Sequence, residues 1–159
     1  MKKVVVIILC LFLTGCGDII IDKQVSEYNA FVDSAKNYTG HTDYIPFDIT
    51  VNFEQILDDE ITYRVIIDNP KTKVMNIKAI AIHDYQTEDI YPTTGIFEEP
   101  LHLVPNTINL EDNYVKGLIL TGYIDFEEEI DTFDAKIKVL IKYVDEKGNN
   151  KEVYYEYEK

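Results

Sequence analysis

The sequence predicts an all-β protein, an antiparallel immunoglobulin-like β-sandwich of about seven strands preceded by one N-terminal helix. Three observations predict it. From Pro46 onward, apolar and polar residues alternate with the period of two that is typical of half-buried strands. The alternating segments are separated at hairpin-like spacing by turn residues. Between these segments there is no helical periodicity, which disfavours a parallel sheet with crossover helices.

The predicted helix precedes the strands. A stripe of apolar residues recurs at the three-four spacing of one helix face, namely Val25, Tyr28, Val32 and Ala35. Asp22 is the predicted N-cap and Gly40 the predicted end, which leaves the residues after Cys16 as a short tether. The stripe either packs on a sheet or faces a partner, and packing is the interpretation that we favour.

The predicted strands follow in order at 47–53, 61–68, 77–85, 117–126, 135–144 and 152–158, with a short further candidate at 107–110. Residues 145–150 are predicted to form a hairpin loop between the last two strands. The segment 86–105 contains Pro92, Pro100 and Pro105, so it is predicted to be a long irregular loop. Binding residues often lie on such loops.

The start of the chain has the organisation of an export signal. A positive Met1-Lys2-Lys3 is followed by ten apolar residues, 4–13, which as a helix would span only about 15 Å. Next come Leu13, Thr14, Gly15 and Cys16. This order resembles the lipobox of bacterial lipoproteins. The resemblance implies that the Cys16 sulfur carries a covalent diacylglyceryl group, with no other cofactor, and that cleavage occurs just before Cys16.

The resemblance sets the predicted domain organisation. Residues 1–15 are the signal peptide, residues 16–45 hold the lipidated N-terminus, tether and helix, and residues 46–159 form the sandwich. Membrane lipid is then the first partner, since two acyl chains on one cysteine hold a protein persistently at the extracytoplasmic face of the cell membrane. Cys10 leaves with the signal peptide, so no thiol remains for a disulfide. The strand layout also resembles the small immunoglobulin-like domains of uncharacterised Gram-positive lipoproteins.

The charge of the chain excludes one class of partner. There are 29 acidic residues against 15 basic ones, a formal net charge of −14. Such a surface repels phosphate backbones, so nucleic acid is not an expected partner. A protein or a component of the cell envelope is expected instead.

Residues for catalysis are scarce. The serines, Ser26 and Ser34, both fall on the predicted helix, without a nucleophile-elbow motif. His41, His83 and His102 lack metal-ligand spacing. His83 is expected to be structural, and His102 is placed in the long loop within reach of Glu98 or Glu99. The protein is therefore predicted not to be an enzyme.

The acidic loops leave an alternative open. Glu127, Glu129, Asp131 and Asp134 lie close together in the sequence, and Ca²⁺ prefers six to eight oxygen ligands. No established calcium-loop spacing is present. The leading hypothesis is a non-catalytic binding module of the cell envelope. The alternatives are a cation- or small-ligand-binding domain that uses these loops, or an envelope glycan hydrolase.

Overall fold

The structure is a computed structural model that describes residues 18–40, 42–85, 93–105 and 113–159. The described residues form one helix, eight strands and a short 3-10 turn: α1 (Asp18–Lys36), β1 (Asp48–Leu57), β2 (Glu60–Asp68), β3 (Val74–His83), β4 (Thr93–Leu103), β5 (Tyr114–Val115), β6 (Gly117–Asp125), the 3-10 turn (Ile130–Thr132), β7 (Lys136–Val144) and β8 (Asn150–Glu158). The chain divides into two compact units, Met1–Phe31 and Val32–Lys159, and the second holds every strand.

The helix differs from its predicted bounds at both ends. It begins at Asp18 rather than after Asp22, so residues 18–21, which the sequence assigned to a tether, are helical. Isoleucine costs a helix only a few tenths of a kcal/mol relative to alanine, and nothing in the segment 18–22 breaks a helix. The helix ends at Lys36, before Gly40. Within the predicted apolar stripe, Val25 is exposed whereas Ala35 is fully buried.

Two sheets form the sandwich, which confirms the predicted all-β class. The first has three strands in the order β1-β2-β6, and the second has five in the order β5-β4-β3-β7-β8. All pairs are antiparallel except β4–β5, which is a parallel pair of two residues. The strand predictions at 61–68, 117–126, 135–144 and 152–158 agree with β2, β6, β7 and β8 to within two residues at each end.

The core lies between the two sheets and is a single cluster of buried side chains. From the three-stranded sheet it takes Ile61, Tyr63, Val65, Ile67, Leu118, Leu120 and Ile124, and from the five-stranded sheet Ile77, Ala79, Ala81, Ile137, Val139, Ile141 and Val153. At one end Phe133 lies 5.0 Å from Phe126 and 5.4 Å from Phe53 between ring centroids. These rings fix the connection between β6 and β7 against the core.

The prediction of a long loop at 86–105 is wrong over its second half, because residues 93–103 form β4. The prolines suggested a loop, yet Pro100 falls where proline is tolerated. Across most of its length β4 pairs only with β3, and β5 joins its other edge only at His102 and Leu103. Proline is compatible with such an edge because one side of the strand needs no donor. The short strand β5 was not predicted, and the candidate strand 107–110 lies outside the described residues.

His102 lies in strand β4 rather than in a loop, and it contacts a β-bulge in β3. Asn76 has a left-handed backbone (φ 51°), and the β3 register shifts on both sides of it. The Asn76 N–H donates to Nδ1 of His102, which lies in β4, over 3.1 Å. His102 therefore satisfies a donor at the bulge. The Glu98 and Glu99 side chains, its predicted neighbours, lie outside the described residues.

The outer face of the five-stranded sheet is apolar at its centre and charged around it. Ile80, Ile82 and Leu140 alternate with core residues, point to this outer side and are buried. The Tyr38 ring stacks on Tyr154 at 4.5 Å between centroids, and the Tyr154 N–H donates to Oγ1 of Thr42 over 2.9 Å. The segment that follows the helix therefore lies on this face at β8.

Candidate functional site

The three-stranded sheet is built by one tight hairpin and one distant strand. β1 and β2 are joined by a turn of two residues, Asp58 and Asp59, and β6 pairs along the whole length of β2. On the core side, Gly122 of β6 lies over Tyr63, and a Cβ at position 122 would come within 2.3 Å of the Tyr63 ring and hydroxyl. A glycine here lets the tyrosine fit beneath the strand.

The other side of this sheet, which we call the open face, consists of the outward-pointing residues of the three strands: Thr50, Asn52, Glu54, Thr62, Arg64, Ile66, Ile119, Thr121 and Tyr123. Two large apolar residues on it are unusually accessible, Ile119 at 58% and Tyr123 at 53%. Ile66 lies directly opposite Ile119 on the neighbouring strand. Isolated exposed apolar residues are normal, but Ile66 and Ile119 adjoin each other here, and Tyr123 lies on the same side of β6 beyond Thr121.

An ion pair crosses the same face. Arg64, the single arginine of the chain, donates from a guanidinium nitrogen to Oε2 of Glu54 over 2.7 Å. Both side chains are partly exposed, so the pair contributes less than about 1 kcal/mol to stability. It does link β1 to β2 on the open face.

Thr62 is the one buried polar residue of the open face among the described residues. It lies between Glu54 and Tyr123 on the neighbouring strands and is only 1% exposed. Its hydroxyl has no hydrogen-bond partner in the described part of the chain. An unsatisfied buried hydroxyl costs on the order of 1–3 kcal/mol.

One end of the sheet gathers acidic side chains, and we call it the acidic end: Asp58, Asp59, Glu60, Asp125, Glu127, Glu128 and Glu129. Two exposed apolar residues, Ile56 and Leu57 (56% each), lie beside it where β1 ends. Glu60 and Asp125 face each other across the ladder. The fold therefore brings together two acidic runs that are far apart in the sequence.

Gln55 holds the acidic end together. Its side-chain nitrogen donates to the Glu128 carbonyl over 2.9 Å, and its side-chain oxygen accepts from the Ile130 N–H over 3.1 Å. A further bond runs from the Phe126 N–H to the Asp59 carbonyl over 2.9 Å. No sequence signal pointed to Gln55, because its partners follow it by 73 and 75 positions.

The predicted metal candidates do not converge. Among the described residues there is no group of three or more histidine, cysteine, aspartate or glutamate side chains placed to hold a metal ion, and this includes Glu127, Glu129, Asp131 and Asp134. Instead, the Lys159 ammonium donates to the Ile130 carbonyl over 2.6 Å and lies 3.4 Å from that of Phe133. Carbonyl oxygens of the loop that carries the four predicted metal candidates therefore accept hydrogen bonds from a lysine.

The histidines take no part in the open face. His83 is buried, with Nδ1 at 3.2 Å from the Tyr85 carbonyl oxygen and its ring edge-on to Tyr63 at 5.9 Å. His102 accepts the bond at the bulge. His41 lies outside the described residues, as do Cys16 and the rest of the lipobox, Leu13, Thr14 and Gly15.

Comparison with the known protein families and with curated proteins gives no match to this chain. In the described part of the chain, no helix combines the length and the apolar character needed to cross a membrane.

Proposed function

We propose that this protein is a lipid-anchored, non-catalytic binding module that holds a basic protein or cell-envelope component against the open face and the acidic end. The observation that carries the proposal is the exposure of Ile119 and Tyr123 on the same side of one sheet whose end concentrates carboxylates. Exposed apolar side chains of this size lower the solubility of a protein, and a partner that covers them removes this unfavourable contact with water.

The surface has the composition of an interface. Large aromatic residues are enriched in the buried centres of protein interfaces, and charged residues belong at their rims. Here Tyr123, Ile119 and the Ile66 side chain opposite Ile119 form the apolar centre, and the acidic end forms one rim. Arg64 is held in place by Glu54 and offers a planar donor within the same surface.

The charge of the surface indicates the chemistry of the partner. Seven carboxylates lie at the acidic end, and the whole chain carries a formal net charge of −14. Complementary charge steers association and suppresses wrong partners. A partner with lysine or arginine residues around an apolar contact fits this surface, whereas a nucleic acid does not.

The lipobox supports the location. Leu13, Thr14, Gly15 and Cys16 follow a short apolar leader, and a diacylglyceryl group on Cys16 would anchor the domain at the extracytoplasmic face of the cell membrane. Cys16→Ala is expected to abolish lipid labelling and to leave the precursor uncut, as measured by metabolic labelling and intact mass. Normal labelling of this variant would remove the anchor from the proposal.

We also infer that the sandwich is immunoglobulin-like. The strand order supports this inference, since the first, second and sixth strands form one sheet and the fourth, third, seventh and eighth follow one another in the other. Immunoglobulin-like domains divide their strands between two sheets in a comparable way and present binding surfaces on them.

A matched pair of variants tests the binding surface. Tyr123→Ser removes the aromatic contact from the open face, whereas Tyr44→Ser removes a tyrosine of similar exposure (58%) that lies outside every strand. After chemical crosslinking in the native membrane, Tyr123→Ser is expected to lower partner recovery about tenfold or more, since buried aromatic anchors are often worth 2 kcal/mol or more. Tyr44→Ser is expected to leave recovery unchanged.

The same measurement, partner recovery after crosslinking, also tests whether the acidic end contributes to binding. Glu127→Lys combined with Glu129→Lys reverses two exposed charges at the acidic end, and recovery should fall with a weaker dependence on salt than in the wild type. Equal recovery from wild type, Tyr123→Ser and the charge-reversed protein would contradict the proposed function.

A further inference from the structure

The four edges of the two sheets are not equally protected. An exposed strand edge presents unpaired N–H and C=O groups to other chains, and proteins blunt such edges with charge, proline or a covering segment. The β8 edge carries Lys151, Glu152, Glu156 and Glu158, and Thr42 accepts the N–H of Tyr154 there. The β4 edge carries Pro100 and is joined by β5.

The two edges of the three-stranded sheet differ from each other. β1 carries Asp48 and Glu54 along its length. β6, Gly117–Asp125, has the sequence GLILTGYID and no charge or proline before its last residue. β2 is its only ladder partner in the described residues. Of the four edges, β6 is therefore the one without any protecting feature in its own sequence.

The β6 sequence is complementary to itself in the antiparallel direction. If Thr121 lies opposite Thr121 of a second copy, Ile119 of each copy lies opposite Tyr123 of the other, on the same outward side. Pairs of a β-branched and an aromatic residue are among the favourable cross-strand contacts, as are Thr–Thr pairs. Both apolar residues that are exposed on the open face become paired in this register.

Charge does not oppose the same arrangement. In the register about Thr121, Asp125 of each copy lies opposite Gly117 of the other, the residue that follows Lys116. The two acidic ends then lie at opposite ends of the paired strands, separated by about 26 Å for eight residues of strand. This separation exceeds the Debye length of about 8 Å at physiological ionic strength, so repulsion between the acidic ends is largely screened.

We propose that the protein forms a symmetric dimer in which the β6 edges of two copies pair antiparallel about Thr121, which joins the two three-stranded sheets into one sheet of six strands. This inference goes beyond the proposed function, because it concerns the strand edge and names a second copy of the chain as its occupant. The two open faces then continue into each other and present one surface with two acidic ends.

A charge swap at the symmetry axis tests the dimer. Two differently tagged copies of the full chain are expressed together in the native membrane, and the fraction of one that is captured with the other is measured. Thr121→Lys in both copies places like charges directly opposite each other, and so does Thr121→Glu. Each is expected to lower co-capture about five- to tenfold. When one copy carries Thr121→Lys and the other carries Thr121→Glu, the charges are opposite, and co-capture is expected to be restored.

Position 50 supplies the matched control. Thr50 is a threonine on the same face, on the β1 edge of the same sheet. Thr50→Lys in both copies is expected to leave co-capture unchanged. Thermal unfolding of each variant by circular dichroism reports whether the domain stays folded, so that a loss of co-capture is not confused with unfolding.

Cysteine pairs test the register. Oxidation of Thr121→Cys should give a disulfide-linked dimer, and Ile119→Cys should give one only when it is expressed with Tyr123→Cys. Oxidation of the wild-type chain is the control for disulfides formed by the two natural cysteines. Wild-type copies that fail to capture each other, or Thr121→Lys copies that capture each other fully, would overturn the dimer. The difference between Tyr123→Ser and Tyr44→Ser in recovery of a basic partner would survive that result. Loss of that difference alone, with co-capture intact, would instead overturn the proposed function.

Discussion

The outer faces of the two sheets carry apolar residues in similar strand positions, but the protein treats them in opposite ways. On the five-stranded sheet, Ile80, Ile82 and Leu140 are buried. On the three-stranded sheet, Ile119 and Tyr123 are more than half exposed. Alternation along a strand therefore does not by itself determine which side of a sheet meets water.

The charged surroundings of the two faces also differ. Around the buried face, Lys136 forms ion pairs with Glu156 at 3.0 Å and Glu158 at 2.7 Å, and Lys142 with Glu152 at 3.4 Å. The Tyr38–Tyr154 stack lies on the same side. The side of the three-stranded sheet that carries the open face has two such pairs among the described residues, Arg64 with Glu54 at 2.7 Å and Lys71 with Asp48 at 3.2 Å. Among the described residues, the border of the buried face thus carries three ion-pair contacts and the side of the open face two.

The largest expected effect is the difference in stability between a substitution on the buried outer face and a substitution on the open face. Leu140→Ala removes a fully buried side chain, so the free energy of unfolding should fall by about 2–5 kcal/mol. Ile119→Ala removes an exposed one, and the fall should stay below about 1 kcal/mol. Chemical denaturation of both variants measures the contrast. Equal losses would mean that the open face is also part of the stabilising core.

A smaller effect of opposite sign is expected on the open face itself. Thr62→Val removes the hydroxyl that has no partner, while the shape of the side chain is retained. The free energy of unfolding should rise by about 1 kcal/mol. Thr50→Val is the matched control at an exposed position of the same face, where a change within about 0.5 kcal/mol is expected. A destabilised Thr62→Val protein would show that the hydroxyl is satisfied in solution.

The smallest effect concerns the charged border of the buried face. Hydrogen bonds from Lys136 and then from Tyr154 lower the pKa of Glu156. A lowered carboxyl pKa stabilises the fold above the ordinary glutamate pKa, and this contribution is lost as the pH falls through the folded-state value. Above about pH 5, the free energy of unfolding of Glu156→Gln should therefore be lower than that of wild type by less than about 1 kcal/mol. This difference should disappear in more acidic solution.

Unfolding curves between neutral and acidic pH provide the measurement. Glu146→Gln, in the exposed turn between β7 and β8, is the control for the loss of one surface carboxylate. A constant difference between wild type and Glu156→Gln across this range would contradict the assigned ion pair.

Local alternation was sufficient to predict β2, β6, β7 and β8, because each has a continuous apolar side. It failed at β4, where Pro92, Pro100 and Pro105 suggested a loop although an edge strand accommodates proline. It also could not show which side of β6 is exposed. Leu118, Leu120 and Ile124 on one side and Ile119 and Tyr123 on the other make both sides apolar.

The site was less predictable than the fold, since it depends on contacts between distant residues. Gln55 reaches the Glu128 carbonyl across 73 positions, and Tyr154 reaches Thr42 across 112. Neither contact leaves a periodic pattern in the sequence. The acidic runs were visible, but the pairing of β2 with β6 was needed to place them at the same end of one sheet.

The pairing of β2 with β6 also determines the order in which the molecule can assemble. β1 and β2 are adjacent in the chain and can meet early through their two-residue turn. β6 reaches β2 only after the intervening chain, with β3 and β4, has been traversed, and contacts at such sequence distance are slow to form. Leu118, Leu120 and Ile124 therefore remain unshielded during the interval, and they are open to contacts with other chains until β6 has docked on β2.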